Sequence, residues 1–480
     1  MKKLISLALI LIFLFSCGGR QNDDKLNVAG THDTSEVTTA DDYNDDLGIF
    51  DFDGYEFKMY TRDNPLYHSP INIAEEVGEI LNDAMYRRNR TLEERFNFTF
   101  VESMGSGDGN AVTNRARNSI MAGDNEFDII TLHIKVNITF AQEGLIYPIS
   151  ALPHLNPDKP YWNQKLRSDL TVINKQYFTV GAYDLSGHDF IAVLLFNKQM
   201  IKDYSLENLY DLAKSSRWTF DKFGEMAKIT TVDLNGDGKF DKDDQYGFLA
   251  MHKQVLPSFW IAAGVKTVEK DKDDIPYSAM GSEKFIQVFD KIFAITQDEG
   301  TWYGKDQSQV NLDTMFKNSQ GLFMDTTFYF VNTLRDMETD FGIIPFPKYT
   351  ENQDSYYSRI EGLATAIVPI SANEESLERT SVILEALACE SHKTVIPAYY
   401  DVSLKVRNTR DVESEEMLDI IFNNSVFDFG DALWDPQIRD GIFAPMFRDN
   451  NRNLVSKLAS MEEIIKGLSD VAVEAFEKLN

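Results

Sequence analysis

The stretch "FDIITL", Phe127–Leu132, is a near-continuous apolar run of strand length. Such a run suits a strand covered on both faces, as in a sheet wrapped by helices. Working backward from it, "AVTNRARNSIMAG" (Ala111–Gly123) has helical spacing and "GSGDGN" (Gly105–Asn110) is a loop. "FNFTFVE", from Phe96, alternates as another strand. A long helical pattern precedes it, over about residues 73–95, with Ile80, Ala84 and Arg87–Arg88 at helical spacing. Tyr55–Tyr60 alternates as a first strand, and the loop after it is ended by Pro65. Strand, helix, strand, helix, strand predicts an open α/β layer.

Working forward, "YFTVGAYDLSGHDFIAVLLFNKQMI" (Tyr177–Ile201) runs from a strand through a polar turn into a very apolar strand. That pattern predicts a crossing from one lobe to another. "WTFDKFGEMAKIT" reads as a helix capped by Thr219. "GLFMDTTFYFVNTL" and "FGIIPFPKY" supply a later motif and strand, and "SRIEGLATAIVPI" a second crossing. In the tail, Leu454, Leu458, Met461, Ile465 and Leu468 fall on one helix face.

The first residues, "MKKLISLALILIFLFSC", have a basic start, a short apolar core and a small residue before the cut. They predict a signal peptide over residues 1–16. "LFSC" resembles a lipobox, which makes Cys17 the lipidated first residue of the mature chain. Residues 17–49 are polar and acidic, too poor in apolar residues to fold, and are expected to form a disordered tether. Cys17 and Cys389 are the two cysteines. With lipid on the first, no intrachain disulfide can form. Cys389 sits in an apolar helical run and is expected to be a buried small hydrophobe.

The formal charge is −29. Such a surface does not hold nucleic acid or anionic lipid in general. It also argues against an anionic ligand, unless Arg62, Lys135 or another local cation reverses the field. Aromatic residues are 12% of the chain, compatible with stacking on flat ligands.

One motif points to a metal. In "DLNGDGKFDKDD", oxygen-bearing side chains fall at Asp233, Asn235, Asp237, Asp241 and Asp244, with the carbonyl of Lys239 between them. Gly238 stands where the chain must turn, and Phe240 can pin the loop to a core. This is the pattern of a calcium-binding loop, with Asp244 in place of the usual glutamate, as in dockerin loops. A strand-like "QYGFLAM" follows at once, so the expectation is a static structural calcium clamp and not a helix-swinging sensor. Motifs of zinc peptidases, serine hydrolase elbows and phosphate loops are absent from the sequence. The seven histidines show no ligand spacing.

Several segments in order resemble the family 1 extracellular solute-binding proteins, the lipid-anchored receptors of ABC importers that include maltose-binding protein. They are the lipobox, "AGDNEFDIITLHIKVNITFAQEGLIYPIS", "FNKQMIKDY", "RWTFDKFGEMAKIT", "GLFMDTTFYF", "FGIIPFPKY" and "EGLATAIVPISANEESLERTSVILEALA". The resemblance implies a two-lobed, periplasmic-binding-protein-like (type II) α/β fold with a hinge. Lobe one would take residues 50–183 and 361–430, and lobe two residues 190–355 and 431–480. Ligand would lie in the cleft, at the carboxyl ends of the strands. By segment matching, the candidate contacts are Arg62, Asp63, His133, Lys135, Asp184, Asp325, Phe328, Tyr329, Trp260 and Trp434. At His133 and Lys135 the chain departs from the maltodextrin-binding pattern. The resemblance further implies a non-enzymatic monomer outside the cytoplasm, lipid-anchored to the membrane. It would deliver a small solute, an oligosaccharide, to an ABC permease. The rival expectations are a lipid-anchored glycoside hydrolase, which needs two carboxylates facing one bond, and an orphan glycan receptor without a permease.

Overall fold

The computed structural model describes residues 43–64, 70–297, 301–304, 308–334, 336–406 and 412–479. The signal peptide, Cys17 and the tether up to residue 42 lie outside the described residues. The chain opens with β1 (Tyr55–Arg62), α1 (Ile80–Phe96), β2 (Phe98–Gly105), α2 (Gly109–Ala122), β3 (Ile129–His133) and α3 (Ile134–Gln142). The short helices α4 (Gln164–Leu170) and α5 (Ser186–Asp189) lead to β4 (Ala192–Asn197). Then come α6 (Lys198–Asp203), α7 (Leu209–Lys214), α8 (Phe220–Ile229), β5 (Tyr246–Leu249) and α9 (His252–Ala262). The hairpin β6 (Val268–Lys270) and β7 (Pro276–Ser278) precedes α10 (Glu283–Thr296). Next are β8 (Trp302–Tyr303), α11 (Gln309–Lys317), β9 (Gly321–Thr327) and β10 (Phe341–Ile344). The chain ends with β11 (Ser358–Arg359), β12 (Ala364–Ile367), α12 (Glu374–Val406), α13 (Val412–Asn423), β13 (Ser425–Val426), α14 (Phe429–Ala432), α15 (Ala444–Arg448) and α16 (Leu454–Glu477).

Two sheets carry the two lobes. The first has the order β12-β3-β1-β2, with β1 parallel to both β2 and β3. Met59–Thr61 lie opposite Ile129–Thr131, and β12 adds antiparallel to β3. The second has the order β10-β4-β9-β5-β8; β4 is antiparallel to both neighbours, while β5 is parallel to β9 and β8. Phe127–Leu132 behaves as its composition demands: Ile129, Ile130 and Leu132 are buried between layers. The one charge in the run, Asp128, takes the Lys58 backbone N–H at 2.7 Å and the Tyr55 hydroxyl at 3.0 Å. Its carboxyl is raised by burial, against these bonds.

Element ends differ from expectation for local reasons. Helix α1 runs to Phe96, and Asn97 ends it in the left-handed region at φ 52°, so β2 begins at Phe98. Its start falls at Ile80, later than the pattern from residue 73 suggests. Thr219 caps α8 as expected, accepting from the Lys222 N–H at 3.4 Å.

The packed body begins at Tyr43, earlier than residue 50. Tyr43 stacks on His392 with ring centroids 4.7 Å apart, and its carbonyl accepts the Cys389 thiol at 3.1 Å. Asp45 is 7% exposed and accepts both Arg95 terminal nitrogens, at 2.5 and 3.0 Å. The expected tether therefore ends in a segment anchored through Tyr43, Asp45 and Leu47. Cys389 is fully buried, as expected, and burial pushes its thiol up to about 11. Helix α13, expected with lobe one, packs on β10 and α7 beside the second sheet, with Tyr210 and Ser414 hydroxyls 2.8 Å apart. The end of α16 reaches lobe one, where the Lys175 ammonium donates to the Phe476 carbonyl at 2.7 Å.

The crossings run side by side. Ile191 and Ile360 form an antiparallel bridge, and the Glu361 N–H donates to the Phe190 carbonyl at 2.9 Å. The Ser186 hydroxyl accepts from the Ala364 N–H at 2.9 Å.

Candidate functional site

In the first sheet, the chain after β1 turns to β2 on one side of it, and the chain after β2 crosses to β3 on the other. The crevice outside the carboxyl ends of β1 and β3 is thus a topological switch point. A cavity of about 280 Å³ lies there, lined by Arg62, Gly109, Val112, Thr113, Thr131, Leu132, His133, Lys135 and Val136. Three expected contacts, Arg62, His133 and Lys135, are thereby brought together.

Each is placed by its element. Arg62 is the last residue of β1, and its guanidinium lies against Gly109, where a Cβ would stand 3.3 Å from Nη1. His133 ends β3 and caps α3, its Nδ1 accepting the Lys135 N–H at 3.2 Å. Burial, then the Lys135 charge, lower His133 to about 4, so the ring is neutral at pH 7 and its Nε2 carries the hydrogen. Nε2 faces Gly362 of the second crossing, where a Cβ would come within 2.8 Å. Asp63 follows β1 and is exposed.

Lys135 reaches across the cleft, with Nζ 2.7 Å from Asp435 Oδ2. The same oxygen accepts Arg439 Nη2 at 2.9 Å, and Arg439 Nε donates to Asp440 at 2.9 Å. Burial opposes the Arg439 charge, but Asp431 and Asp440 hold it above the ordinary arginine range. Deeper, Arg359 and Asp431 form a bidentate pair at 2.6 and 3.1 Å, exposed by 1% and 0%. Glu361 of the second crossing sits among these cations. Burial works against its charge, yet Arg359, Arg439, Lys253 and a Gln254 hydrogen bond hold its carboxyl below the usual range.

The other expected contacts fall elsewhere. Asp184 is buried at the first crossing, accepting from the Ser186 N–H at 2.8 Å. Asp325 is 1% exposed on β9, accepts the Ser258 hydroxyl at 2.9 Å and is pushed up by burial to about 7. Phe328 is fully buried, its ring 4.9 Å from Phe422. Tyr329 is half-buried, stacked on Phe190 at 6.1 Å beside the crossing. Trp260 is interior: its indole donates to Asp428 at 3.0 Å and its ring lies 4.8 Å from Phe443. Trp434 is 9% exposed, edge-on to Phe429 and adjacent to Asp435. Thr131, Glu361, Gln254, Asp435 and Arg439 escape sequence reasoning; the only signal for two of them is the charged run "DPQIRD" after Trp434.

The acidic loop stands apart. Asp233 accepts the N–H groups of Gly236 and Gly238 at 2.7 and 2.8 Å, and Asp244 those of Leu234 and Asp241 at 2.9 and 2.8 Å. Gly238 turns at φ 78° and Asp244 is fully buried. Phe240 packs on Tyr246, and β5 follows without a second helix. Residue types suit a hard dication, while among the described residues no group of three or more His, Cys, Asp or Glu is gathered to hold a metal ion. No helix among the described residues is long and apolar enough to cross a membrane.

No family model and no curated protein matches the chain by sequence. Solved structures do match by shape. One is a cyclo/maltodextrin-binding protein complexed with maltotetraose, at 12% identity and TM-score 0.58, covering 86% of this chain and 96% of that one. Another is a sugar transporter from Rhizobium etli in an open conformation, at 13% identity and TM-score 0.56, covering 89% and 100%. A third is an ABC substrate-binding protein from Listeria monocytogenes in complex with cycloalternan, at 12% identity and TM-score 0.55, covering 87% and 99%. The chain thus has the two-lobed, periplasmic-binding-protein-like α/β fold of ABC sugar- and substrate-binding proteins.

Proposed function

We propose that this chain is the extracytoplasmic receptor of an ABC importer, lipid-anchored through Cys17, which captures an oligosaccharide between its lobes without changing it. The observation that carries the reading is the cavity at the carboxyl ends of β1 and β3 facing the charged cluster of Glu361, Asp435 and Arg439. Planar charged groups on both sides of a cleft can satisfy a sugar's belt of hydroxyls while the lobes close over it. Ligand favours closure only by touching both lobes. Thermal-shift screening of the full chain against saccharide and peptide libraries tests the reading. Stabilisation by saccharides supports it; stabilisation by peptides alone overturns it.

The hydrolase alternative has one observation in its favour. Asp325 and Glu361 have acidities pushed apart, as in acid–base pairs. Asp325, however, is 1% exposed and bonded to Ser258, where neither water nor a glycosidic oxygen reaches it. A sugar-release assay separates the two, since a receptor returns its ligand intact.

We also propose calcium as a structural ion of the loop Asp233–Asp244. Several like charges share this turn, and a dication would offset their repulsion and fix the loop between α8 and β5.

A further inference from the structure

Asn235–Gly236 is the one Asn-Gly pair in the chain, and it stands in the acidic turn between α8 and β5. Both residues are exposed. Gly236 lies in the left-handed region at φ 73°, and a Cβ built on it would meet nothing within 4 Å. Its amide nitrogen is therefore crowded neither by a side chain of its own nor by a neighbour. Directly before it stands an electrophile, the Cγ of the Asn235 carboxamide. Asn89, Asn137 and Asn197, by contrast, are fully buried, and each is followed by a residue that carries a side chain.

Two hydrogen bonds arrange the pair. Asn235 Oδ1 accepts the Asp237 N–H at 2.8 Å, which folds the carboxamide forward over the intervening peptide. The same bond stabilises charge that develops on the oxygen when Cγ is attacked. The Gly236 N–H donates to Asp233 Oδ1 at 2.7 Å, so the proton that must leave the nitrogen already points at a carboxylate that can relay it.

We infer that Asn235 is a site of spontaneous deamidation, a covalent modification that turns the one amide among the loop's oxygen-bearing side chains into a carboxylate. The Gly236 nitrogen bonds to Asn235 Cγ, the Cγ–Nδ2 bond breaks, and ammonia leaves with the proton given up by Gly236. The five-membered succinimide that remains takes up water. Water adding at Cγ opens the ring to aspartate. Water adding at the backbone carbonyl carbon opens it to isoaspartate, whose chain runs through the side-chain carbon. One water enters and one ammonia leaves, with no oxidant or reductant. Either product adds a negative charge to a turn that already carries Asp233, Asp237, Asp241 and Asp244. Isoaspartate also lengthens the backbone between the two hydrogen bonds that shape the turn, and so loosens it. A dication seated on Asp233 and the Asn235 oxygen would hold the turn still and slow the reaction; that retardation alone rests on the proposed calcium site.

Peptide mapping of the folded, full chain tests this. Trypsin releases Ile229–Lys239, whose one asparagine is Asn235. After incubation in mildly alkaline buffer with chelator, this segment is expected to gain one mass unit and to split into an aspartate and an isoaspartate form. The gain should be at least tenfold faster than in the segments holding Asn89 or Asn197, and at least tenfold slower in Asn235→Gln. A folded chain whose segment keeps its mass, while the same peptide free in solution converts, would overturn the inference. Conversion severalfold slower with calcium than with chelator supports both the modification and the metal site. Conversion equally fast in both buffers supports the modification and overturns the metal site.

Discussion

Single residues set the energetic stakes of the cleft. Arg359 and Asp431 are a closed, fully buried pair. Removing one partner leaves the other buried and uncompensated, which costs about 3–5 kcal/mol. Arg359→Met is therefore expected to lower stability by that amount in denaturant titration, whereas removing both charges together should cost much less. Asp325 gives a pH dependence. Its carboxyl is raised from the ordinary range to about 7 by burial, so the folded chain binds this proton more tightly than the unfolded one. Its stabilising contribution is present at low pH and lost as pH rises through 7, with a ceiling of about 4 kcal/mol. Asp325→Asn should flatten that decline, visible as a melting temperature that no longer falls between about pH 4 and pH 7. At this scale the sequence was half legible. That Arg62, His133 and Lys135 line one cavity was legible because they sit where predicted strands end. Phe328 and Trp260 could not be told from core aromatics, since an apolar ring suits a sugar face and an interior equally well. Thr131 was invisible, because an unpaired hydroxyl is a property of the packed state alone.

Among elements, the Asp233–Asp244 loop offers the sharpest test. With calcium bound, ligand linkage raises stability, and at a hundredfold excess over the dissociation constant the gain is about 2.7 kcal/mol. Chelation is expected to lower the melting temperature by a few degrees, with an Asp244→Ala variant insensitive to chelator; equal melting curves with and without chelator would remove calcium from the account. The αL position at Asn97 makes a second prediction. Replacing Asn97 with alanine puts a Cβ-bearing residue without local amide bonding at φ 52°, and also removes the 2.7 Å bond to Asp51, for an expected loss of about 1–2 kcal/mol in urea titration. Strand and helix order was legible here because apolar period changes cleanly between 2 and 3.6. The element ends were not, because Asn97 serves as helix stop and the alternating pattern around it runs straight through.

For the whole molecule, the ordered set of segments pointed to two lobes, and two sheets of four and five strands bear that fold out. What the sequence hid was long-range docking: Asp45 on Arg95, Tyr43 on His392, and the end of α16 on lobe one. Contacts 50 to 301 residues apart or more leave no periodic trace. The Lys135–Asp435 pair spans the cleft, and its expected effect is to hold the lobes near closure. Asp435→Asn should enlarge the radius of gyration measured by small-angle scattering of the unliganded protein, and saturating saccharide should shrink it again. An unchanged radius in both states would place that pair outside the closing motion.

The crossings at Phe190–Ile191 and Ile360–Glu361 are laced to each other, not merely parallel. Two independent straps would let one half slide, tilt and roll against the other. A laced ribbon suppresses sliding and leaves twist about its own length as the soft coordinate, so the mouth should open by rotation around a single fixed line.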